Sequence, residues 1–188
     1  GTQAAPAGVR RADRFAAFIA QQDGHAIGNH DCANRSRVAR EAGIGIDFAV
    51  DPETGLYNVG CRRLSLRGRH ECGTNLTGRS HLRLIYQRCV RKGERLPVSF
   101  AVGTHPLDFM ASNMRTRQDE MKFVGAFRGE PVPLVKCVSN DLMVPADAEL
   151  IIEGYLDERG YIEPEGPYGE YMGYYGPMHL DPVFHITA

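Results

Sequence analysis

Apolar and polar positions follow two different periods along this chain. Residues 11–22 place Phe15, Ala16, Ile19 and Ala20 at helical spacing, and Asp23 and Gly24 end the run. Residues 34–42 read as a second helix, with Asn34 as cap and Gly43 as stop. From Ile44 to Val50 the period falls to two, which predicts a strand. The Asp-Pro-Glu-Thr-Gly turn at 51–55 then sends the chain back as a second strand, Tyr57–Leu66, completing a hairpin. Residues 67–78 read as a polar loop. Residues 80–91 carry Leu82, Ile85, Tyr86 and Cys89 on one helical face and stop at Gly93. A buried strand is predicted over 97–102, short helices over 106–114 and 119–127, and strands over 132–138, 149–155 and 183–187. Strands with intervening helices and long polar loops predict an α+β domain, a mixed sheet or barrel with helices packed outside.

Composition narrows the class. The 188 residues are 43% hydrophobic and 24% charged, ordinary for a globular chain. A net charge of -1 gives no global field for nucleic acid or anionic lipid. No apolar run approaches bilayer length, and no signal-like pattern opens the chain, so neither membrane nor export is expected and a cytoplasmic location is. The five cysteines (Cys32, Cys61, Cys72, Cys89, Cys137) form no CxxC pair and read as reduced thiols.

The candidate chemistry sits in a few short stretches. Glu165 and Glu170 flank a Gly-Pro-Tyr-Gly bend that can bring both towards one pocket. Paired carboxylates suit acid/base work or a shared cation, although a solvated acidic turn has the same spacing. On the returning hairpin strand, Asn58 and Arg62 share a face and Arg63 takes the other, unless Gly60 bulges the strand. Asn offers an oxygen to hard cations and Arg pairs with carboxylate or phosphate. His81 opens a helix, where phosphate is favoured and where imidazole can ligate a metal. Glu120 stands in the first turn of another helix, a place the helix dipole favours by itself. The other histidines show no ligand spacing.

Together these stretches resemble the UbiD family of prenylated-flavin-dependent decarboxylases. The resemblance lies in residues 51–63 (Asp-Pro-Glu-Thr-Gly-Leu-Tyr-Asn-Val-Gly-Cys-Arg-Arg), 120–132, 135–146, the Ile152-Glu-Gly and Glu165-to-Tyr174 pair, and the closing 182–188, all in family order. It implies a split β-barrel, flavin-reductase-like, over 44–188, with 1–43 an unplaced helical segment. It implies that Asn58, His81 and Glu120 hold Mn2+ (or Mg2+) against the phosphate of prenylated FMN. It places K+ at main-chain oxygens near Val59, Ala111, Ser112 and Met114, with Glu120. Asn58, Cys61, Arg62, Arg63, Ser80, His81 and Glu120 fall where the family contacts the cofactor. Arg63, Glu165 and Glu170 match the catalytic Arg and two acids, Glu170 as proton donor. The implied reaction is reversible decarboxylation of an aromatic or α,β-unsaturated acid, with a prenyltransferase maturase supplying cofactor and a homo-oligomer or companion subunit as partner. Family members are usually more than twice this length. A cofactor-binding subunit or fragment, or a flavin reductase-like redox protein, therefore stay open beside the decarboxylase.

Overall fold

A computed structural model describes residues 40–167 and 172–188, with backbone alone for 40–44. Six antiparallel strands close into a barrel in the order β1 (Arg40–Val50), β2 (Tyr57–Leu66), β3 (Glu71–Gly73), β10 (Val183–Ile186), β7 (Leu150–Leu156) and β4 (Leu96–Val102). Pairing of Ile46 with Ala101 and of Phe48 with Ser99 joins the last strand to the first. Two small hairpins, β5 (Leu134–Lys136) with β6 (Met143–Pro145) and β8 (Glu163–Glu165) with β9 (His179–Asp181), stand apart from the barrel sheet. The helices are α1 (His81–Lys92), α2 (Pro106–Ser112) and α3 (Glu120–Arg128). A barrel with helices outside is the α+β architecture that periodicity permits, and the split barrel is the form that the family resemblance implies. No helix among the described residues is long and apolar enough to cross a membrane.

Alternation along the strands builds two cores. Leu64, Val98, Phe100, Ile152, Leu156 and Phe184 come from four different strands yet share one cluster, the barrel interior. Helix α1 adds Leu82, Ile85, Tyr86 and Cys89 to it, the face that helical spacing predicts. Full burial of each large side chain contributes about 1.5–3 kcal/mol. The opposite face of the β1–β2 ladder supplies Ile46, Phe48 and Val59 to a second core, shared with Ala111 of α2 and with Met121 and Val124 of α3. The helices start and stop on local signals. Ser80 caps α1 by accepting from Arg83 N, and Gly93 ends it at φ 68°. Asp119 caps α3 by accepting from Met121 N and Lys122 N.

Several expectations are corrected. Residues 40–42, the end of the predicted second helix, are strand: Arg40 pairs with Leu66 and Ala42 with Leu64. Ladder bonds to β2 outweigh the local helical pattern, and Gly43, expected as a helix stop, lies where the register shifts. The remainder of that helix and the whole of the one at 11–22 lie outside the described residues. The loop at 67–78 contains β3, and β6, β8 and β9 were not expected either. Three-residue strands are too short to show a period. The strand expected at 132–138 shrinks to Leu134–Lys136.

Candidate functional site

The β1–β2 register is unbroken from Val50 opposite Tyr57 to Ile44 opposite Arg63, so Gly60 does not bulge the strand. Asn58 and Arg62 accordingly share one face of β2, and Arg63 takes the other. Next to Asn58, α3 delivers Glu120, turned inward and buried despite opening its helix. Glu120 Oε2 accepts from Asn58 Nδ2 at 2.5 Å and from Val59 N at 2.7 Å. Its Oε1 lies 3.0 Å from Nδ1 of His81, the first residue of α1. Three side chains separated by up to 62 positions thus meet, brought from β2, α1 and α3.

This donor set fits a hard divalent cation. Asn58 Oδ1 is buried and has no hydrogen-bond partner. An orphaned buried acceptor costs about 1–3 kcal/mol, and an ion at that oxygen would remove the cost. Amide oxygen, carboxylate and one imidazole match manganese or magnesium better than a thiol-rich or histidine-rich set would. Among the described residues no group of three or more His, Cys, Asp or Glu side chains is arranged to hold a metal.

A cavity of about 240 Å³ opens beside this cluster. Asn58, Cys61, Arg62, Ser80, His81 and Glu120 line it, six of the seven residues expected at the cofactor. Arg63 is not among its lining. Of the positions expected near a monovalent cation, Val59, Ser112 and Met114 line the cavity and Ala111 does not; the Ala111 carbonyl accepts from Met114 N at 3.0 Å. Arg79 and Arg115 add positive charge to the walls, and the N-terminus of the 12-residue α1 faces the same space through Ser80. Burial pushes the Cys61 thiol up to about 11, so it enters this site neutral.

Behind Arg62 stands Asp47, a fully buried residue that the sequence reading missed. Arg62 Nε is 3.1 Å from Asp47 Oδ1, and Arg62 Nη2 donates to Ser80 Oγ at 2.9 Å. Neither Asp47 oxygen has a well-aligned hydrogen bond, so the contact is one of charge. Burial raises the Asp47 carboxyl above its ordinary value, against the lowering effect of Arg62. Gly60 makes the room: a Cβ there would stand 2.8 Å from Asp47 Oδ1. Asp47 was legible only as the polar member of an alternating strand.

A second cluster gathers around the loop after β3. Glu165 is buried and accepts from Arg67 Nη2 at 3.0 Å. Arg67 was also missed; its signal is alternation, since it lies four residues beyond Arg63. Arg63 meets Asn75, whose amide oxygen, oriented to satisfy both groups, accepts from Nη2 at 3.2 Å and Nε at 3.3 Å. Glu170 lies outside the described residues.

The profile of the UbiD family, described as the 3-octaprenyl-4-hydroxybenzoate carboxy-lyase Rift-related domain, matches residues 39–188. The chain belongs to the UbiD family. Among solved structures it is similar to an evolved dimeric form of the UbiD-class enzyme HmfF from Pelotomaculum thermopropionicum in complex with prFMN. That match has 37% identity, covers 80% of this chain and 36% of that one, and has a TM-score of 0.72. It is also similar to vanillic acid decarboxylase from Sedimentibacter hydroxybenzoicus in closed form, with 26% identity, coverage of 80% and 34%, and a TM-score of 0.71. A third is apo 3,4-dihydroxybenzoic acid decarboxylase from Klebsiella pneumoniae, with 28% identity, coverage of 79% and 33%, and a TM-score of 0.64. The chain spans about a third of the length of these relatives.

Proposed function

We propose that this UbiD-family chain holds prenylated FMN for the reversible decarboxylation of an aromatic or α,β-unsaturated carboxylic acid. The observation that carries the reading is the meeting of Asn58, His81 and Glu120 beside a basic cavity, with the Asn58 amide oxygen buried and orphaned. The prFMN complex of HmfF and the two aromatic-acid decarboxylases support the cofactor and the substrate class.

Asn58, His81 and Glu120 hold Mn2+ (or Mg2+), which neutralises the cofactor phosphate. Main-chain oxygens near Val59, Ala111, Ser112 and Met114, with Glu120, would hold K+, although Ala111 stands outside the cavity lining. Cys61, Arg62 and Ser80 line the flavin's seat. When bound, prenylated flavin would supply the electron sink for the pair left behind as carbon dioxide departs from an unsaturated carbon. Arg63 orients the substrate carboxylate through its N–H groups. Glu165 pairs with the Arg67 guanidinium at 3.0 Å, and Glu170 delivers a proton to the carbon that carried the carboxyl group. A prenyltransferase maturase supplies the cofactor, and further chain or a companion subunit encloses the substrate.

The one-third coverage of the relatives favours a second reading, in which this chain binds cofactor but turns over only with further chain. One experiment separates the two. The chain is co-produced with a maturase, and its mass, absorbance spectrum and carbon dioxide release are measured with and without Mn2+. Bound prenylated flavin with release that Glu170→Gln abolishes supports the enzyme. Bound flavin without release supports the cofactor module. No retention of flavin, and no stabilisation by Mn2+ that Glu120→Gln abolishes, refutes both.

A further inference from the structure

Asn75 is the one non-glycine residue among those described with positive φ, at 50°. A side chain in left-handed backbone is uncommon, and Asn tolerates it best. Such strain persists only where the surroundings impose it, and it gathers at functional sites. Here the cause is visible. Asp181, fully buried, accepts from Thr74 N at 2.8 Å, from Thr74 Oγ1 at 3.3 Å and from Leu76 N at 2.7 Å. The amides on either side of Asn75 are therefore tied to one carboxylate, and the backbone between them must turn sharply.

That turn presents the Asn75 amide to Arg63. With its oxygen towards the guanidinium it accepts from Nη2 and Nε, at 3.2 and 3.3 Å. The reverse orientation would set amide N–H groups against guanidinium N–H groups, since Arg has no acceptor. At the start of the same loop, Gly73 lies so close to Glu165 that a Cβ would stand 1.9 Å from Oε2. One pinned loop thus touches both described members of the proposed catalytic set.

We propose that Asn75 is a positioning residue for Arg63. Its oxygen accepts from Nη2 and Nε along one edge of the guanidinium and so fixes the plane in which Arg63 meets a carboxylate. This inference rests on the reading of Arg63 as the group that orients substrate, and it extends that reading to a residue outside the cavity lining.

The test uses Asn75→Gly, which keeps the backbone conformation and removes the amide, and Asn75→Asp, which restores an acceptor and tolerates the same φ. In the cofactor-free chain, NMR follows solvent exchange of the Arg63 Nε–H, assigned with Arg63→Lys. Loss of one hydrogen bond to a charged group should speed exchange about tenfold in Asn75→Gly, with recovery in Asn75→Asp. In the flavin-loaded protein, with whatever further chain turnover requires, Asn75→Gly should lower kcat/KM and Asn75→Asp should restore most of it. Exchange unchanged in Asn75→Gly overturns the proposal, whatever its effect on stability. Faster exchange with unchanged kcat/KM would instead confirm the contact and overturn the assignment of Arg63 to the reaction.

Discussion

Replacing Arg67 by Met removes the charge that faces Glu165 while keeping most of the side chain's length. The Glu165 side chain is 0% exposed and that of Arg67 is 18% exposed, with Nη2 and Oε2 3.0 Å apart. Breaking a fully buried ion pair from one side costs about 3–5 kcal/mol, because the remaining charge is stranded. An exposed pair contributes less than about 1 kcal/mol. Arg67 retains some contact with water, so the expected loss lies between, at about 2–3 kcal/mol. In a Glu165→Gln background the facing carboxylate is gone, and Arg67→Met should cost only about 1 kcal/mol. The coupling energy of the cycle is then about 1–2 kcal/mol. Urea unfolding of the cofactor-free chain, followed by far-ultraviolet circular dichroism because the protein lacks Trp, measures all four corners. A coupling below about 0.5 kcal/mol would show that the two groups do not sense each other and would refute the reasoning.

Three further outcomes are expected. Gly60→Ala places a methyl 2.8 Å from Asp47 Oδ1 and should cost about 1–3 kcal/mol in the same urea assay, whereas Gly68→Ala, with nothing within 4 Å, should be near neutral; equal effects would contradict the packing. Burial alone would raise Asp157, but hydrogen bonds from His185 and Arg159 outweigh it and hold its carboxyl below the ordinary value of 3.8. Such a group stabilises the fold above its unfolded-state pKa, and the contribution is lost as pH falls through the lower folded value. Asp157→Asn should therefore weaken the protein at neutral pH and flatten its acid limb below about pH 4, and an unchanged limb would refute the linkage. Burial pushes Cys61 up to about 11 and Cys72 up to about 12, so iodoacetamide at pH 8 should modify both in urea and spare both in the native protein; rapid native labelling of Cys61 on peptide mapping would refute its neutral state.

The sequence by itself determined the local structure wherever a segment was long enough to show a period or carried a cap. Helix α1 follows from Leu82, Ile85, Tyr86 and Cys89 at helical spacing and from Gly93, and β2 follows from alternation after a strong turn. Family order along residues 51–188 also singles out Asn58, His81 and Glu120. Tertiary structure alone decided that these three groups meet, because contacts across as many as 62 positions depend on barrel register and helix docking, which no local pattern encodes. It also decided the fate of residues 40–42, where pairing with β2 overrode helical spacing. The partners Asp47, Arg67 and Asn75 share this character. Each looks like an ordinary polar residue in the chain, and acquires meaning only when closure of the barrel brings its charge or amide against a partner from another segment.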